Sequence, residues 1–190
     1  INSVFESISG LTGTGFSVFK NIKYLDPTLV IWRSSSQWLG GLYFLIFLVL
    51  FFSNTQFQYK LNNLVFSSDK SLNPENNIKK ISVKLFFLYT SLTILIFVLL
   101  AASNIRLFNS LNLSMSLVSS GGFLPTNSTN QIIKTNLQEI VLIFSFLLSC
   151  LNVFILFNAF NKNFFKNHYE DYFIIIIILV FSFILYIPIT

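Results

Sequence analysis

The sequence predicts an all-α membrane protein built from repeated span–pore loop–span units, with four transmembrane helices and two re-entrant pore helices. Three observations carry that reading. The chain of 190 residues is 54% hydrophobic and only 10% charged, whereas soluble domains carry about 25% charged residues. Its mean hydropathy is +0.71. Two stretches, INSVFESISGLTGTGF at 1–16 and FNSLNLSMSLVSSGGF at 108–123, also say nearly the same thing.

Laid over one another at a constant offset, the two stretches pair Asn2 with Asn109, Ser3 with Ser110, Ser7 with Ser114 and Ser9 with Ser116. The same offset pairs Gly15 with Gly122 and Phe16 with Phe123, while Phe5/Asn112, Glu6/Leu113 and Gly10/Leu117 differ. A long-period repeat sets the architecture, so the rest of the chain is placed around it. Each copy looks helical, runs into Ser, Thr and Gly, and stops at Gly-Phe.

In chain order, the first copy is followed by a polar return in which Asp26-Pro27 forms a turn and a helix start. The run 28–52 is apolar except for Arg33, Ser34, Ser35, Ser36 and Gln37, and is long enough to span a bilayer. Arg33 lies near its start, where a guanidinium can snorkel to the interface, and Trp32 and Trp38 suit the same level. Gly40-Gly41 suggest close helix packing. Residues 53–80 are aqueous in character. Lys60, Lys70, Lys79 and Lys80 outweigh Asp69 and Glu75 there, which by the positive-inside tendency marks a cytoplasmic connection. A second span is expected over 81–102.

The second copy begins almost at once. Phe108 to Val118 is eleven residues, about 16 Å of helix against a hydrocarbon core of about 30 Å, and cannot cross it. A polar, turn-rich SSGGFLPTNSTN follows, then a span over 136–157, a charged connector, and a span over 172–187 closed by Pro188. A half-length helix with a small-residue return describes a re-entrant segment, tolerated at depth only where protein or water covers it. The domain reading is therefore 1–55, pore loop and second helix of a first repeat; 56–80, cytoplasmic linker; 81–158, a complete second repeat; 159–171, connector; and 172–190, the first helix of a third. The sequence begins with Ile in mid-motif and reads as an internal fragment of a longer protein.

A dehydrated cation at membrane depth needs replacement oxygens, which backbone carbonyls supply. Thr12-Gly13-Thr14-Gly15 and Ser119-Ser120-Gly121-Gly122 have the composition for that, with glycine where φ is positive. The preceding half-helices aim their partially negative ends at the loop, which favours a cation. Glycines 10 to 15 also have the spacing of a phosphate-binding P-loop, but Phe16 stands where that motif needs Lys. Glu6, in the first pore helix, either captures cations at the mouth or anchors the helix. Arg33 either packs or plays an electrostatic role. His168 reads as solvated, and the glycosylation triplets at Asn112 and Asn127 as products of an Asn-rich composition.

FESISGLTGTGFSVF followed by P…WRSSSQWLGG resembles the first pore loop and second helix of the Trk/Ktr/HKT potassium transporters. It is closest to the bacterial Trk-type (TrkH-like) translocation subunit. SLVSSGGFLPTNST is similar to the second pore loop of that superfamily. The resemblance covers about 1–55 and 80–160. It implies four covalently joined repeats around one pore, one filter glycine per repeat (here Gly15 and Gly122), and potassium or another monovalent cation as the transported ion. It also implies multi-pass insertion in the bacterial plasma (inner) membrane, a homodimer, and a cytosolic nucleotide-binding regulatory subunit (TrkA-like). Glycine rather than serine at 15 leans toward K⁺; a sodium-preferring or ion-coupled relative stays open, as does a non-conducting membrane scaffold. No covalently bound cofactor is expected, and no metal other than K⁺ at the filter carbonyls. The net charge of +5 is spread over loops, so nucleic acid is not an expected partner. One His, one Cys150 and no mid-span carboxylate leave nothing for catalysis.

Overall fold

The computed structural model describes residues 2–52 and 74–150. The predicted linker up to residue 73, the end of the span expected over 136–157, the 159–171 connector and the span from 172 lie outside the described residues. Among the described residues the chain is helical, without strands. Its helices are α1 (Asn2–Leu11), α2 (Pro27–Phe52), α3 (Pro74–Ala102), α4 (Leu107–Val118) and α5 (Asn136–Cys150). Short 3₁₀ turns at Ile22–Tyr24 and Thr129–Gln131 follow α1 and α4. They stand at equivalent places of the repeat, so the duplication continues past Gly-Phe.

Local chemistry sets the ends of these helices. Pro27 opens α2 at the position where a missing N–H costs nothing. Before it, Asp26 Oδ1 accepts the Thr28 amide at 2.8 Å, an N-cap arrangement; the Thr28 hydroxyl first, and then its amide, hold the Asp26 carboxyl below the usual carboxylate range. Pro74 likewise opens α3, seven residues before the predicted start of that span at 81. The first turns of the helix are polar, and its membrane-crossing part, Ser82–Ala102, matches the span expected over 81–102.

In the 29-residue α3, Leu85, Tyr89, Leu92, Ile96 and Leu100 recur at helical spacing and are all buried. Phe86, Phe87, Ile94, Leu95 and Val98 lie off this stripe, are exposed and are just as apolar. A helix with an apolar face left outside the protein suits lipid. Among the described residues, Ser82–Ala102 is the one helical segment long and apolar enough to cross a membrane. The 26 residues of α2 reach about 39 Å, but its polar run interrupts the apolar character.

That polar run faces inward. Arg33, Ser34, Ser36 and Gln37 are all buried, because α2 is the element against which α1, α3 and α4 pack. Trp38 is not an interface anchor: its Nε1 donates to Thr93 Oγ1 at 2.9 Å and its ring meets Tyr89 at 5.2 Å. Tyr89 in turn donates to the Trp38 carbonyl at 3.0 Å. Gly40-Gly41 are the close approaches expected. A Cβ on Gly40 would run into the Leu11 carbonyl at the end of α1, and one on Gly41 would lie 2.7 Å from the Tyr89 hydroxyl.

Gly40→Ala in the full-length protein is expected to lower stability by about 1–3 kcal/mol through overpacking. Thermal unfolding in detergent measures it, and an unchanged midpoint would contradict this packing.

Candidate functional site

The two glycine loops grow from their helices by one hydrogen-bond pattern. After α1, the Gly13 amide donates to Gly10 O at 3.0 Å and the Thr14 amide to Ser9 O at 3.1 Å. After α4, the Ser120 amide donates to Leu117 O at 3.0 Å and the Gly121 amide to Ser116 O at 3.0 Å. Each is a Schellman ending, which needs a left-handed residue just past the helix. Gly13 (φ 68°) and Ser120 (φ 53°) supply it. Serine in that conformation is strained where glycine is not.

Two residues further on, both loops turn left-handed again, at Gly15 (φ 76°) and Gly122 (φ 78°). Gly122, and not Gly121, is therefore the backbone equivalent of Gly15. The loops also meet. A Cβ on Gly15 would strike the Gly121 carbonyl oxygen, and one on Gly13 would stand 3.9 Å from Ser119 O. A Cβ on Gly122 would meet none of the described residues within 4 Å.

What fixes these loops comes largely from α2. Glu6 of α1 is 1% exposed and fully engaged: Oε1 accepts from Ser17 Oγ at 2.6 Å and the Val18 amide at 2.7 Å, and Oε2 from Arg33 Nε at 3.0 Å. These bonds describe an anchor for the chain leaving the first loop rather than a cation trap at a mouth. Arg33 is 2% exposed and does not snorkel. Its guanidinium carbon lies 4.2 Å from the centre of the Phe123 ring, a cation–π contact. Among the described residues its Nη1 and Nη2 have no hydrogen-bond acceptor, and the charge meets the Phe123 ring face, with the Phe19 ring centre farther off at 5.8 Å. One side chain thus ties the first loop through Glu6 and the second through Phe123.

One helical turn along, Gln37 is fully buried. Its Nε2 donates to Gly121 O at 2.6 Å, while Oε1 accepts from the Phe123 amide at 3.1 Å and from Ser116 Oγ at 3.2 Å. In the first copy Ser9, the counterpart of Ser116, donates instead to the Phe16 carbonyl at 2.6 Å. The exits of the two loops are joined as well. Asn127 Oδ1 accepts the Ile22 amide at 2.6 Å and its Nδ2 donates to Asn21 Oδ1 at 3.1 Å. Asn112 is buried, and its Nδ2 donates to the Phe108 carbonyl at 2.7 Å.

Thr12–Gly15 and Ser119–Gly122 are brought together, and Glu6 and Arg33 stand behind them. The sequence reading gave Gln37, Ser9, Ser116 and Asn127 no role at the loops. The signal for Gln37 was present: a polar side chain inside an apolar run, one turn from Arg33. Among the described residues no group of His, Cys, Asp and Glu is arranged to hold a metal ion.

Residues 1–186 match the TrkH family, described as a cation transport protein. The chain is 32% identical over 129 residues to an uncharacterized cation transporter of Methanocaldococcus jannaschii, covering 67% of this chain and 26% of that protein. It is 25% identical over 174 residues to the Trk system potassium uptake protein TrkH of Halomonas elongata, covering 90% of this chain and 36% of that one. Its fold is similar to the crystal structure of the potassium transporter TrkH from Vibrio parahaemolyticus, with a TM-score of 0.66 and 22% identity over 85% of this chain and 32% of the other. The chain thus spans about a quarter to a third of the length of these relatives.

Removing one member of the Glu6–Arg33 pair is expected to cost about 3–5 kcal/mol, because the partner is left charged and buried. Glu6→Gln and Arg33→Met should each destabilise more than the double variant does. Unfolding of the four full-length proteins forms the cycle, and additive or negligible effects would contradict the coupling.

Proposed function

The chain belongs to the TrkH family of cation transport proteins, and from that premise we propose that it forms part of a potassium uptake pathway whose two glycine loops are ion-filter segments. Carbonyls of residues 12–15 and 119–122 take the place of hydration water around K⁺, the usual device of a cation filter. The C-terminal ends of α1 and α4 run into the loops, and their partial negative charge favours a cation there.

One observation carries this reading. Two sequences that differ at many positions reach the same backbone, with left-handed residues at 13 and 15 and at 120 and 122, and the two loops lie against each other. A helix ending alone explains the first left-handed residue of each pair. The second, at Gly-Phe, keeps the chain folded back beside its neighbour, and an oxygen-lined path needs that geometry. Packing alone gives no reason for it to appear twice.

In this account residues 1–55 close a first repeat, 81–158 make a complete second repeat and 172–190 open a third. Further loops of the whole protein complete the ring. The protein is multi-pass in the bacterial inner membrane, works as a homodimer, and answers to a cytosolic nucleotide-binding subunit. The Halomonas elongata relative named as a Trk system potassium uptake protein supports potassium as the ion.

The test is growth of an uptake-deficient bacterium on limiting potassium with the full-length gene. Gly15→Ser places a side chain at φ 76° and against the Gly121 carbonyl. It is expected to lower K⁺ uptake about tenfold, since left-handed strain alone is worth roughly 1–2 kcal/mol. Undiminished uptake and ion preference in the correctly inserted variant would overturn the filter reading.

A further inference from the structure

The two loops share a backbone but not a set of free oxygens. The Gly121 carbonyl is taken up inside the protein, between Gln37 Nε2 at 2.6 Å and the Cα face of Gly15. Its counterpart in the first loop is the Thr14 carbonyl, to which no side chain among the described residues donates. The Thr14 hydroxyl pairs with that of Thr12 at 2.7 Å instead. Gln37 is held for this purpose at its other end, since Oε1 accepts two hydrogen bonds and fixes which end of the amide faces Gly121.

Resting on the filter reading above, we propose that Gln37 is a positioning residue for ion selectivity: it commits the Gly121 carbonyl to the protein, so that the second loop offers one cation ligand fewer than the first. A carbonyl already accepting a short hydrogen bond is a poorer ligand for a cation, because its lone-pair density is shared with the donor. Gly122, next along the chain, has no described residue within 4 Å of where its Cβ would stand. Of the two described helices that follow a glycine loop, α2 carries the device and α5 does not. At the repeat offset, α5 carries Ile140 where α2 has Arg33 and Phe144 where it has Gln37, and both are exposed. A pore with identical loops would present rings of equal oxygens; this one is built lopsided, and discrimination between K⁺ and Na⁺ depends on how many ligands each level supplies and how strong they are.

The experiment uses the full-length protein expressed in an uptake-deficient bacterium, with K⁺ uptake measured against rising Na⁺. Gln37→Met keeps about the same side-chain length and no charge but loses the donor to Gly121. Its preference for K⁺ over Na⁺ is expected to change by about two- to tenfold, the span of one hydrogen bond's net worth. Gln37→Asn, an amide too short to reach, is expected to shift preference in the same direction and serves should Gln37→Met fail to insert. Trp38→Phe removes a side-chain hydrogen bond from the same helix, to Thr93, and is expected to leave ion preference unchanged. Wild-type preference in either inserted Gln37 variant overturns the inference, as does an equal shift in Trp38→Phe. Failure of both Gln37 variants to insert assigns the residue to folding and likewise overturns it. Absence of K⁺ uptake by the wild-type protein, in contrast, overturns the underlying transport reading.

Discussion

Irregular backbone inside an apolar bundle has to find hydrogen-bond partners without water, and the whole arrangement follows from that need. The loops after α1 and α4 contain peptide groups that no helix ladder satisfies. Helix α2 answers with a polar face set in an otherwise apolar rod: Arg33 reaches Glu6, and Gln37 reaches Gly121 and Phe123. The small residues on the same helix do the complementary job. Gly40 lets the end of α1 come close, and Gly41 makes room for Tyr89 and Ser119.

Burying a glutamate and an arginine is costly unless each charge is met, and most of theirs is met by neighbours. Glu6 holds three hydrogen bonds. Arg33 spends one on Glu6 and lays the rest of its charge on Phe123. Such a pair adds little net stability over apolar packing, yet it dictates where the groups sit. Here that means the registration of two loops from two repeats against a single helix.

Much of this was legible in the chain itself. The repeat was visible as paired Ser and Gly-Phe positions, and it fixed two half-length helices and two equivalent turns. The Asp26-Pro27 start and the close packing at Gly40-Gly41 could be read locally. What could not be read was direction. Arg33 and Trp38 suit a membrane interface by residue type, and only packing against α1, α3 and α4 turns them inward. The role of Gln37 was hidden for the same reason: its partners Ser116, Gly121 and Phe123 lie 79, 84 and 86 positions away in the chain. The choice between Gly121 and Gly122 was equally beyond reach, because it is made by φ, which two adjacent glycines leave open.

The repeats are alike in backbone and unlike in support. Ser9 serves a carbonyl of its own loop, whereas Ser116 serves a side chain of another helix. The central claim is that these two loops together line a cation path. It is tested most directly by locating a heavy monovalent cation, rubidium or thallium, by anomalous scattering in crystals of the full-length protein. The account predicts a peak in direct coordination distance of backbone oxygens from both loops, near Gly15 and Gly122. A cation bound only elsewhere, with both loops unoccupied at saturating concentration, would contradict it.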